Sequence, residues 1–124
     1  MRESRLWGLH LLSGAALIAL LGLHMALMHY QAIIAWLGGG YQEVLAFASV
    51  AARDRSPAMR VVYVLLLGAA LYHGLYGARG VLQEIWSTPR AARVISVALL
   101  AFGLVVLVYG VAVIVTAGRH AALL

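Results

Sequence analysis

The sequence predicts an all-α integral membrane protein: three transmembrane helices in an up-down-up bundle, within one domain covering residues 1–124. Three observations lead there. The chain is 65% hydrophobic and only 10% charged, where a soluble domain carries about 25% charged residues. Its mean hydropathy is +0.97. Its apolar residues fall into three runs, within Leu6–Trp36, Met59–Leu82 and Ala92–Ala117, each long enough for the roughly 20 residues that a spanning helix needs.

The first helix is expected at about residues 7–36. Its basic start, Arg2 and Arg5, resembles that of a signal peptide, but the apolar run far exceeds a signal core of about 7–15 residues. It is therefore read as a retained helix, long enough to tilt. Gly38, Gly39 and Gly40 end it, because glycine tolerates the left-handed cap. Residues 37–57 form a surface connection. Within it, Gln42 to Arg53 is expected as a short amphipathic helix presenting Val44, Leu45, Phe47 and Ala48 to lipid.

The second helix is expected at about 58–83. Ser56 is its N-cap and Pro57 lies in its first turn. The third is expected at about 90–117, capped by Ser87 or Thr88 and opened by Pro89. Short connections make neighbouring helices antiparallel. A bundle this small cannot enclose a large cofactor alone, so a partner subunit is expected to complete it.

Charge and composition narrow the function. All nine basic residues are arginine, against four acids, and the pI is near 10.3. The arginines flank apolar runs, as helix anchors and topology signals do, so nucleic acid is not expected as a partner. With the N-terminus inside, Arg2, Arg5, Arg79, Arg90 and Arg93 face Arg53, Arg55, Arg60 and Arg119 across the membrane, five against four. That bias favours a cytoplasmic N-terminus. With no cysteine, this chain provides no disulfide, thiolate metal site or iron–sulfur ligand. A transporter is disfavoured, since no carboxylate within a span pairs with the histidines and no inverted repeat is present.

The residues that point to chemistry are histidines in apolar runs. An ionisable group at membrane depth is a functional candidate by default. His73 lies in the second run among Gly74, Gly77 and Gly80. Gly77, four residues on, shares its face and would leave room for a porphyrin ring. Arg79, nearer the helix end, suits a haem propionate. The alternative is a histidine hydrogen-bonded to a neighbouring helix, with glycines allowing close packing. In the first helix, His10, Ser13, Gly14, Leu17, Leu21 and His24 fall near one face. His24 is the deeper histidine and a second ligand candidate. His29 points elsewhere, towards the far interface. His24 and His73 lie at different depths, so two ligands would mean two haems. Glu84, at the exit of the second helix, is either a solvated end charge or a proton-delivery group for a quinone. Trp7, Trp36 and Trp86 stand at run ends, as an aromatic belt requires.

The pattern His73, Gly77, Arg79 and Glu84 resembles the H-x-x-x-G-x-R motif, with its acid eleven residues after the histidine, in the membrane anchors of succinate dehydrogenase and fumarate reductase. Ser13-Gly14 followed by Leu21-Gly22-Leu23-His24 is similar to the first helix of the hydrophobic anchor in two-haem complexes of this family. The resemblance runs from Leu6 to Ala117. It implies that His73 ligates haem b, that His24 ligates a second haem, and that a sister anchor supplies the opposing ligands. It also implies that iron–sulfur and flavoprotein subunits dock on the cytoplasmic face of a bacterial or archaeal inner membrane, near Arg79, Glu84 and the Ser87–Arg93 connection. Quinone would be reduced near that face, with Ser13, His10 and Glu84 as candidate contacts. Two departures bear on this. Glu84 is followed by Ile85, where many hydrophobic anchors of the family carry a quinone-contacting tyrosine after the acid. The string from His10 to Gly14 lacks the arginine that follows the histidine in the sister anchor's first helix. Rivals are a quinol:fumarate reductase anchor and a haem-free structural anchor.

Overall fold

The computed structural model describes residues 2–38, 46, 49–50 and 55–120. It contains α1 (Arg2–Trp36), α2 (Pro57–Ile85) and α3 (Pro89–His120), with no strand among the described residues. All three are long and apolar enough to cross a membrane, the qualifying stretches being Glu3–Leu27, Pro57–Ile85 and Pro89–Ala117. At 1.5 Å per residue, the shortest helix is about 43 Å long, more than a hydrocarbon core of about 30 Å demands. The amphipathic segment expected at Gln42–Arg53 falls largely outside the described residues.

The boundaries follow local chemistry. α1 stops where Gly38 takes φ +92°, a left-handed conformation that costs glycine nothing. Pro57 opens α2, but Ser56, at the cap position with φ −70° and ψ 120°, makes no side-chain cap bond. The expected serine cap is thus a cap in backbone only. At the next turn Thr88 is the working cap, its Oγ1 accepting the Ala91 N–H at 3.2 Å, and Pro89 follows as the first helical residue. Trp86, Ser87 and Thr88 alone connect α2 to α3.

Cross-helix contacts run in opposite sequence directions on both sides of α2. His10 meets His73 while His24 meets Tyr63. Gly103 faces Leu75 while Gly110 faces Leu67. The connectivity is therefore up-down-up. The packing differs from a closed bundle: α2 lies in the middle, and α1 and α3 do not touch among the described residues. Three helices in a row cannot form an enclosed core, so no described residue is fully buried. Side chains such as Ile18, Val94, Val105 and Val108 stand two-thirds exposed or more, as lipid-facing residues do.

Glycine sets the close approaches. A Cβ on Gly103 would lie 2.5 Å from Leu75 Cδ1, and one on Gly110 2.6 Å from Leu67 Cδ2. Two turns apart on α3, these glycines take leucine knobs of α2, the small-residue packing typical of membrane helices. Gly74 and Gly80, which accompany His73 in the sequence, border open space.

Candidate functional site

The α1–α2 interface holds two histidine stations. α1 brings Leu6, His10, Ser13, Gly14, Leu17 and His24 towards α2, all partly buried. Leu21, expected on that face, is instead 50% exposed. Leu20, three residues after Leu17, takes the partly covered place.

At the first station the His10 and His73 rings stack, with centroids 4.2 Å apart and planes within 8°. His73 Nδ1 lies 3.1 Å from the backbone carbonyl of His10. A carbonyl only accepts, so this contact is a hydrogen bond when Nδ1 carries the hydrogen. Ser13 Oγ donates to the same carbonyl at 2.7 Å. The two helices meet here because position 14 is glycine: a Cβ there would lie 2.9 Å from His73 Cε1 and 3.1 Å from Nδ1. Tyr72 fixes the register one residue away, its hydroxyl donating to the Leu6 carbonyl at 2.9 Å. Tyr76 packs at 5.1 Å against His10 and 5.9 Å from Tyr72.

Gly77 faces the same interface, with His10 Cε1 3.6 Å from where its Cβ would stand. The space expected for a porphyrin edge beside Gly77 thus borders the His10 ring. His10, expected among the quinone contacts, covers one face of His73. Its own Nδ1 is buried and has no hydrogen-bond partner.

Arg79 ties the end of the interface to both other helices. Its Nε donates to Ser96 Oγ at 3.1 Å, Nη1 lies 3.7 Å from Glu3 Oε2, and the guanidinium sits 5.9 Å from the Tyr76 ring centroid. Gln83 Nε2 donates to Ser96 Oγ at 3.2 Å and to the Ala92 carbonyl at 3.3 Å. Ser96 Oγ donates in turn to Ala92 O at 2.8 Å. Glu84 is exposed beside this cluster.

The second station lies towards the other end of α1. Fourteen residues separate His24 from His10, about 21 Å along a helix. His24 meets the Tyr63 ring edge-on at 5.7 Å, and its buried Nδ1 has no hydrogen-bond partner. His29 is exposed. The structure thus brings His10, Ser13, Gly77 and His73 together, stands Arg79 and Glu84 at the end of that interface, and keeps His24 apart.

Tyr63, Tyr72, Tyr76, Gln83 and Ser96 are site residues that the histidine pattern in the sequence does not reach. A signal was present: Tyr72, Tyr76, Arg79 and Gln83 recur at i, i+4, i+7 and i+11, a polar stripe on an otherwise apolar helix.

Among the described residues no three His, Asp or Glu side chains cluster to hold a bare metal ion. An axial position on a porphyrin-bound metal asks for only one nitrogen. With its hydrogen on Nδ1, towards the His10 carbonyl, His73 would have Nε2 as an electron-pair donor, and His24 is a second histidine in a helix apolar enough to span a bilayer. Comparison with known proteins found no matching family model, no similar curated protein and no similar solved structure.

Proposed function

We propose that the chain is the hydrophobic membrane anchor of a succinate:quinone oxidoreductase, holding haem b and fixing the flavoprotein and iron–sulfur subunits to the membrane. One observation carries the reading. A histidine in a membrane-spanning helix has its Nδ1 hydrogen-bonded to a neighbouring backbone carbonyl, as metal-ligating histidines almost always do with their second nitrogen. The motif of His73, Gly77, Arg79 and Glu84 gives this histidine its family context.

In this reading His73 would hold one haem through Nε2, and His24 would hold a second at a different depth. A sister anchor would complete each site. The open row of helices is consistent with that, since α1 and α3 do not close over α2 among the described residues. When bound, haem iron supplies a site that gains and loses one electron at a time. Arg79 holds positive charge near a membrane interface, steadied by Ser96 and Glu3, where it can meet a propionate. Ser13 is committed to the His10 carbonyl, which weakens its case as a quinone contact. Glu84 is exposed and free to face an aqueous or quinone-bearing surface.

A haem-free anchor is the second reading, favoured by the stacked His10 ring, which gives His73 an ordinary interhelical packing role. A dithionite-reduced minus oxidised spectrum of the membrane complex, purified through a tag on this chain, separates the two. A b-type signal that loses one component in His73→Ala and another in His24→Ala supports the two-haem anchor. Absence of any haem signal in wild type leaves the structural anchor.

A further inference from the structure

We infer that Gly14 and the backbone carbonyl of His10 form a seat that fixes the tautomer and ring plane of His73, making Gly14 a positioning residue for the lone pair on Nε2. The inference rests on the haem reading for its purpose and on α1–α2 geometry for its substance.

The seat has three parts. The first is an acceptor. The His10 carbonyl lies 3.1 Å from His73 Nδ1. Because it cannot donate, only the tautomer with hydrogen on Nδ1 forms this bond, and that tautomer leaves the lone pair on Nε2. In an apolar medium the opposite tautomer would set a lone pair against a carbonyl oxygen and lose the bond, at a cost magnified by the low dielectric.

The second part is clearance. Any side chain at position 14 would start 2.9 Å from His73 Cε1 and 3.1 Å from Nδ1. The ring edge that carries the bond is the edge that rests on Gly14. A methyl group here would therefore push Nδ1 off the carbonyl rather than merely loosen the helix pair. The third part is a lateral wall. The His10 ring, parallel to His73 at 4.2 Å, blocks rotation of the imidazole out of its plane.

Ser13 bears on the same carbonyl without belonging to the seat. Its hydroxyl donates to His10 O from within α1, a local bond of the kind that bends a helix slightly. Removing that hydroxyl leaves the carbonyl in place for His73. Of the adjacent positions 13 and 14, only the second is therefore expected to affect the tautomer.

The decisive measurement is solid-state nitrogen NMR on the full chain, labelled with 15N and carbonyl-13C histidine, in lipid bilayers without haem. His73 is assigned by its disappearance in His73→Gln. In wild type, Nδ1 should give the protonated signal, Nε2 the unprotonated one, and Nδ1 should show a dipolar contact to the His10 carbonyl carbon. In Gly14→Ala the ratio of Nδ1–H to Nε2–H forms should fall about five-fold, the worth of one net hydrogen bond. Ser13→Ala and Gly22→Ala, the latter at a position bordering open space, should leave the ratio unchanged.

A wild-type His73 protonated on Nε2, or one lacking the contact to the His10 carbonyl, overturns the inference without any variant having to fold. So does a Gly14→Ala chain that keeps the wild-type ratio. In the haem-loaded complex, Gly14→Ala should also raise the reduction potential of the His73 component, because a weaker Nδ1–H···O bond makes Nε2 a poorer donor. If the purified complex shows no haem, the proposed function fails, while the tautomer measurement still decides the seat.

Discussion

The two histidine stations on the α1–α2 interface occupy similar surroundings and are finished to different degrees. His73 has a carbonyl for Nδ1, a parallel ring on one face and a glycine beneath its edge. His24 has the edge of Tyr63 and a buried Nδ1 that bonds to nothing. Both lie in a helix apolar enough to span a bilayer. One position is pre-organised by its own chain. The other carries an unmet demand, which in hydrocarbon is the more expensive state. The difference teaches that burial alone does not describe such a station; whether a ring nitrogen already has its hydrogen bond separates the two.

The sharpest way to break this comparison is to delete each ring and follow the haem spectrum. His73→Ala should abolish its component outright, a loss of more than about ten-fold in bound haem, because the donor nitrogen itself is gone. His24→Ala should abolish a different component and leave the first intact. If both substitutions deplete the same component, the two stations are not independent.

A stability contrast comes next in size. Leucine at position 24 removes an unsatisfied buried nitrogen, so His24→Leu should stabilise the haem-free chain by about 1–2 kcal/mol in detergent unfolding titrations. His73→Leu should instead destabilise it by about 1 kcal/mol, since a formed hydrogen bond is lost. The same sign for both would erase the distinction drawn here.

Smaller effects sharpen the first station. Tyr72→Phe removes one hydrogen bond to the Leu6 carbonyl and should cost about 1 kcal/mol by the same titration. Glu3→Gln should cost less, about 0.5 kcal/mol or under, because Glu3 is 71% exposed and its contact with Arg79 is long. Its effect should fade with added salt.

Much of the fold was legible in the sequence. Run lengths gave three helices, Pro57 and Pro89 marked two starts, and Gly38 marked an end. What stayed hidden was the arrangement. Hydropathy along a membrane helix distinguishes its faces poorly, because lipid and neighbouring helices are both apolar. Nothing in the runs therefore showed α2 in the middle or the absence of contact between the described residues of α1 and α3. At the site, His73, Gly77 and Arg79 were found through one another, on a single helix where spacing determines neighbourhood. His10 stacking on His73 joins residues 63 positions apart, and no local periodicity reports that. Gly14 stood beside Ser13 in plain view, but which glycine carries a close approach depends on the facing helix. Gly14, Gly103 and Gly110 have that role, while Gly74 and Gly80 do not.

The central place of α2 bears on how the chain is built. Among the described residues, every helix pair in contact is consecutive in the sequence. As α2 leaves the ribosome its first partner is already in the membrane, and α3 then finds α2 waiting. For these three helices biosynthesis can thus proceed in order of translation, with the His10–His73 stack able to close before α3 is made.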